Sequence, residues 1–234
     1  MPLWGNKREL APVDTTALDT FARALPGDAE SVGPAAGWTD RQTRDLLGRD
    51  LPLFTAFLSG PARSSVAGGA LRFLLPETDP SLVGWNGRGG WRSDWPSVKP
   101  AVVFATDWLG RLFFLHSNVR RKDGEPALGM LDSTTGESVD LDYSFGEFIG
   151  KALAEDWRNL LDADRLDAWR DAGNEAPRFD QVVAPKQPLI LGGSDEIAEM
   201  ELSFLVVAVS FGGQIWEQVK HLPPGKKITG VSIE

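Results

Sequence analysis

The chain has 234 residues, 42% hydrophobic and 24% charged, a balance that suits a folded chain with a core of its own and excludes a disordered one. It has no cysteine, which excludes disulfides, thiolate metal sites and cysteine nucleophiles. Its formal net charge is −9, which sets it against direct binding of a phosphate backbone.

That charge is one-sided. Residues 1–100 hold 11 Lys/Arg and 11 Asp/Glu, whereas residues 101–234 hold 13 and 22. Within 132–175 twelve acids face four bases, Lys151, Arg158, Arg165 and Arg170. Such a surface attracts a basic partner and speeds encounter with it, or simply stays solvated.

In chain order, residues 1–13 read as a loose arm with no signal-peptide core ahead of the charges. Leu18, Phe21, Ala22 and Leu25 recur at helical spacing over 17–25, and Pro26-Gly27 stops the run. Residues 26–38 read as loop. Thr39-Asp40 caps a second helix that ends at Gly48, and 51–58 makes a third short one. From Ala67 the pattern turns to strands, with Leu71–Leu75 first. A loop with three tryptophans and four glycines follows at 83–96.

Ala101–Thr106 and Arg111–His116 form a hairpin across a turn with Thr106, Asp107 and Gly110. A charged turn, Arg120–Gly124, leads to a second hairpin from 128–132 and 138–142, in which Val139 and Leu141 alternate with acids as on a half-exposed strand. Ser144 and Glu147 fit a capping box, and Phe145, Phe148, Ile149, Ala152 and Leu153 make the apolar stripe behind it. A helix over 163–172 ends at Gly173-Asn174. The β-branched run Leu205–Val209 predicts a buried strand over 201–210, broken by Gly212-Gly213, and 214–222 predicts a terminal helix stopped by Pro223-Pro224-Gly225. The run at 204–209 is far too short to span a bilayer, so the expectation is a cytoplasmic protein without membrane contact.

The fold class this predicts is α+β: a meandering antiparallel sheet packed with helices, with a helical extension at residues 1–66 and the main domain at 67–234, or one continuous domain.

Reactive chemistry is hard to find. His116 and His221 lie far apart, outside any metal-ligand spacing. Asp162 and Asp164 sit at a helix start, where acids cap, and Asp140 and Asp142 share one strand face. The glycine-rich stretches at 84–90 and 192–193 lack the lysine and the helix start of a phosphate cradle. No cofactor and no metal are expected.

Some motifs occur in a telling order. Trp91-x-x-x-Trp95-Pro precedes Val103–Gly110; Asp132-Ser-Thr-Thr-Gly-Glu137 leads to Ser144-Phe-Gly-Glu-Phe148; Pro188–Gly193, Gly213-Gln-Ile215 and Leu222-Pro-Pro-Gly225 follow. Over about residues 83–230 this set resembles the immunity-protein domain of the SUKH superfamily, in particular its type VI secretion immunity branch. The resemblance implies a non-catalytic domain that binds a cognate toxin in the cytoplasm, often a nuclease or deaminase, and neutralises it by occlusion. The alternative is a non-catalytic scaffold or regulatory module of the same fold. That family shares no catalytic residues to transfer, so the candidate contacts rest on charge and aromatic bulk. For a basic toxin these are Asp140, Asp142, Glu147, Glu155 and Asp156, with Trp85, Trp91 and Trp95 as apolar anchors.

Overall fold

In the computed structural model, residues 13–223 other than 30 and 123 are described, together with 228 and 230–233. The expected arm at 1–12, Asp123 of the charged turn and the Pro224-Gly225 stop lie outside the described residues. Three helices come first: α1 (Thr16–Ala24), α2 (Asp40–Leu47) and α3 (Pro52–Ser59). The Thr39 hydroxyl accepts the Gln42 N–H and the Gln42 side chain accepts the Thr39 N–H, a closed capping box; Gly48 at φ 71° ends the helix.

The sheet follows as β1 (Ser65–Val66), β2 (Leu71–Phe73), β3 (Ala101–Asp107), β4 (Arg111–Arg120), β5 (Pro126–Asp132) and β6 (Ser138–Leu141), with a one-turn helix α4 (Leu82–Trp85) between β2 and β3. All neighbours are antiparallel and in sequence order, a six-stranded meander whose last edge is β6. The fold is α+β. β3 is buried along its whole length, as a strand covered on both faces must be.

Phe113 and Phe114 are successive and therefore point to opposite faces. On one face Phe104 meets Phe54, Phe73, Phe145 and Phe148, and Phe21 and Phe57 extend the cluster edge to face at 5–6 Å. Each such pair adds roughly 0.5–1.5 kcal/mol beyond its buried area. Phe21, Phe54 and Phe57 come from α1 and α3, so the N-terminal helices and the sheet share one core.

The β3–β4 register shifts between Val103 and Ala105, beyond the end of β2. There Asn86 fills the place of a strand: its Oδ1 accepts the Val103 N–H at 2.8 Å and its Nδ2 donates to the Val103 carbonyl at 2.7 Å.

After the sheet, α5 (Phe145–Glu147) opens on the Ser144–Glu147 capping box and runs through a π-helical turn at Phe148–Leu153 into α6 (Ala154–Leu160) and then α7 (Ala163–Asp171). α1 lies directly against this turn: a Cβ at Gly150 would come 2.6 Å from that of Ala17. β7 (Gln181–Pro185), a strand no sequence pattern announced, pairs with β8 (Met200–Phe204) in a separate two-stranded sheet.

The largest correction comes next. Residues 205–219 are one helix, α8 (Leu205–Val219), not a strand, a break and a second helix. Leu205, Val209, Gly212, Ile215 and Val219 are buried at steps of three and four, a helical stripe that outweighs the strand preference of valine. Gly212 and Gly213 do not break it; they permit close contact. A Cβ at Gly212 would lie 2.0 Å from the Ser133 carbonyl oxygen, and one at Gly213 2.5 Å from that of Asp94.

Candidate functional site

The fully buried Arg72 of β2 donates to the carbonyls of Arg178, Gln181 and Asp107, and so joins the meander to β7. Asp107 closes the β3–β4 turn by accepting the N–H groups of Leu109 and Arg111 at 3.0 and 2.9 Å and the Arg111 guanidinium. Burial lowers the Arg72 pKa to about 10, partly opposed by Asp107 and Asp180. Burial likewise pushes the Asp107 carboxyl up, against the pull of Arg111 and Arg72. A buried acid with a perturbed pKa can signal catalysis. Here both oxygens are occupied by turn and guanidinium donors, so the cluster is a structural joint.

The two histidines do converge. His116 of β4 and His221 line one open cleft of about 590 Å³, with Lys99, Asp140, Trp216 and Lys220. His116 is 3% exposed and its Nε2 lies 2.8 Å from Asp140 Oδ1. Of the hydroxyls in the lining, Ser97 Oγ donates to Glu217 at 2.5 Å. The lining thus shows no hydroxyl paired with a histidine base, and among the described residues no group of three or more His, Cys, Asp or Glu could hold a metal ion.

Of the acids expected to meet a partner, three cluster at the β6 edge. Asp140 and Asp142 stand two residues apart, with side chains 60% and 107% exposed. Arg121 joins Asp142 to Glu147, at 3.4 and 3.1 Å. Glu147 also accepts the Ser144 N–H at 2.7 Å, so the capping box orients it. Glu155 and Asp156 lie exposed on α6, where Asp156 departs from helical geometry (φ −140°) and accepts from Asn159. Asp162 occupies the start of α7 at φ 53° but makes no side-chain cap; it pairs with Arg165 at 3.7 Å, while Asp164 pairs with Arg158. Capping therefore does not explain that pair.

The tryptophans are a correction. Trp85, Trp91 and Trp95 are 6%, 1% and 0% exposed, so they offer no surface to a partner. Trp91 Nε1 donates to Asn86 Oδ1 at 3.0 Å, and Trp95 Nε1 to the Val209 carbonyl of α8 at 2.9 Å. Their bulk locks the 83–96 loop onto β3 and α8.

Exposed apolar bulk sits elsewhere. Phe204, Val206, Val207 and Phe211 are 55%, 46%, 58% and 37% exposed, at the end of β8 and the start of α8. No sequence signal of composition marked these as outward-facing; the helical spacing of their buried neighbours would have.

Among the described residues no helix is long and apolar enough to cross a membrane. No family model matches the chain, and no curated protein matches it. The chain is similar in fold to the crystal structure of Atu4351 from Agrobacterium tumefaciens, with a TM-score of 0.54 and 12% identity, over 84% of this chain and 88% of that one.

Proposed function

We propose that this protein is an immunity protein that binds a cognate secreted toxin in the cytoplasm and neutralises it by occlusion, without chemistry of its own. The observation that carries this reading is the acidic edge at β6 and α5, where Arg121 holds Asp142 beside Glu147 and His116 holds Asp140, and all three acids remain open to a partner. The ordered motifs over residues 83–230 that resemble the SUKH type VI immunity branch point the same way. A negative edge of this kind steers a basic protein, such as a nuclease, toward the chain.

The test is co-expression with the toxin encoded by the neighbouring gene. Growth is restored and the purified pair forms a stable complex; if no neighbouring toxin is bound or tolerated, the reading fails. Reversing Asp140, Asp142 and Glu155 to Lys slows association several-fold at low salt and flattens its salt dependence. A second reading, a scaffold or regulatory module of the same fold, predicts no rescue and a partner unrelated to toxicity.

A further inference from the structure

We infer that the toxin's docking centre is the first half of α8 together with the β7–β8 hairpin beside it, with the acidic β6 edge steering the approach. This rests on the immunity reading and names the surface that performs it.

Among the described residues nine large hydrophobic side chains are exposed, and four of them fall within eight consecutive positions, Phe204, Val206, Val207 and Phe211. Val207 and Phe211, four apart, line one face of the helix, opposite the buried Leu205, Val209 and Gly212, and Phe204 precedes them at the end of β8. A groove of about 120 Å³ runs alongside, with Val207, Ala208 and Phe211 on one wall and Pro185 and Pro188 on the other. Large exposed apolar side chains concentrated in this way mark interaction surfaces, and partly sheltered aromatic pockets make the strongest contact points.

Charge specifies the occupant. Between Lys186 and Lys220 the chain has no Lys or Arg, while Asp195, Glu196, Glu199, Glu201 and Glu217 all fall there. Asp195, Glu196, Glu199 and Glu201 are exposed; Glu201 lines the groove itself together with Lys186, and Asp195 pairs with Arg165 at 3.5 Å, which leaves Glu196 and Glu199 as the excess acids beside it. The Lys186 ammonium at the rim is tied to the Ala198 carbonyl at 2.7 Å. An apolar stripe with an acidic rim fits a partner that presents apolar side chains within a basic surface. That is the chemistry expected of a nucleic-acid-cleaving toxin.

The rigid joint beneath supports the assignment. Gly212 and Gly213 bring α8 against the Ser133 and Asp94 carbonyls, so the outward face is fixed before any partner arrives. A preformed face loses little conformational freedom on binding.

The experiment measures binding of the purified full chain to the protein encoded by the adjacent toxin gene, by surface plasmon resonance with growth protection alongside. The double variant Phe204→Ser with Val207→Asp loses affinity about tenfold or more and loses protection. Glu201→Lys slows association several-fold at low salt. Circular dichroism melts of both variants match the parent, because the altered side chains are exposed. If the parent binds and both variants bind equally well, this surface is not the docking centre while the immunity reading stands. If the parent itself does not bind, that reading falls and this inference with it. A parent that is dimeric in size-exclusion chromatography with light scattering, and becomes monomeric in the double variant, assigns the face to a second copy and overturns the proposal.

Discussion

The tryptophan loop at 83–96 and the first half of α8 are mirror images in what they do with apolar side chains. The loop looks like a surface feature, rich in glycine and aromatic bulk, yet Trp91 and Trp95 are 1% and 0% exposed. The valine-rich run looks like core, yet Val207 is 58% exposed. The two are in contact through Trp95 Nε1 and the Val209 carbonyl. Whether an apolar side chain is buried thus depends on which partner element reaches it. Residue type alone does not decide the matter.

That contrast can be broken from the loop side. Replacing Trp95 by Ala empties a fully buried site between the loop and α8 and removes the Val209 bond; the expected loss is about 3–5 kcal/mol in a urea titration. An unchanged midpoint would mean the loop is not part of the core. Gly212→Ala comes next. Its Cβ meets the Ser133 carbonyl, so α8 must shift or strain at a cost of about 1–3 kcal/mol. This occurs although alanine is the better helix former by roughly 1 kcal/mol. A stabilised variant would show that the close approach is absent.

Glu217 sharpens the comparison because it ties the two regions together. It accepts the Ser97 N–H and hydroxyl beside the loop, and the Lys220 ammonium at the end of α8. Partial burial acts to raise its pKa, but the bonds from Lys220 and Ser97 outweigh burial and hold it below its ordinary value of 4.5. A depressed carboxyl stabilises the fold above its unfolded pKa and loses that contribution as pH falls through the folded value. Glu217→Gln therefore flattens the acid side of the stability profile below about pH 4.5, by about 1 kcal/mol or less. An acid limb identical to the parent's would remove the tie. The smallest effect belongs to the outer face: Val207→Asp changes stability by about 0.5 kcal/mol or less, since it is exposed and an acid in the first turn suits the helix dipole. A loss above 2 kcal/mol would mean that this face is packed.

Local signals carried well from sequence to structure. The helix cap at Thr39, the capping box at Ser144 and both hairpins depend on neighbours a few residues apart, and all are present. Long-range features did not carry. The Arg72 links to Arg178 and Gln181 span more than a hundred positions, and the cleft lined by both His116 and His221 does as well. α8 does not show in the run Leu205–Val209, because five consecutive apolar residues reveal no period. The buried sequence Leu205, Val209, Gly212, Ile215, Val219 reveals it, provided the glycines are admitted as contact residues. For the candidate surface, acid positions at 140, 142 and 147 could be read from alternation and capping, but the pairing of Asp142 and Glu147 with Arg121 and of Asp140 with His116 needs the fold.

The amide of Asn86 has a further consequence. β2 and the Leu74 N–H reach only as far as Phe104, so the first residues of β3 have no strand beside them on that side, and an open backbone edge invites strands from other molecules. By occupying the Val103 N–H and carbonyl, Asn86 seals that gap with a side chain that cannot itself be extended. The protein gains a guard against intermolecular sheet growth at the cost of one residue, and Asn86→Ala would leave it prone to aggregate as it folds.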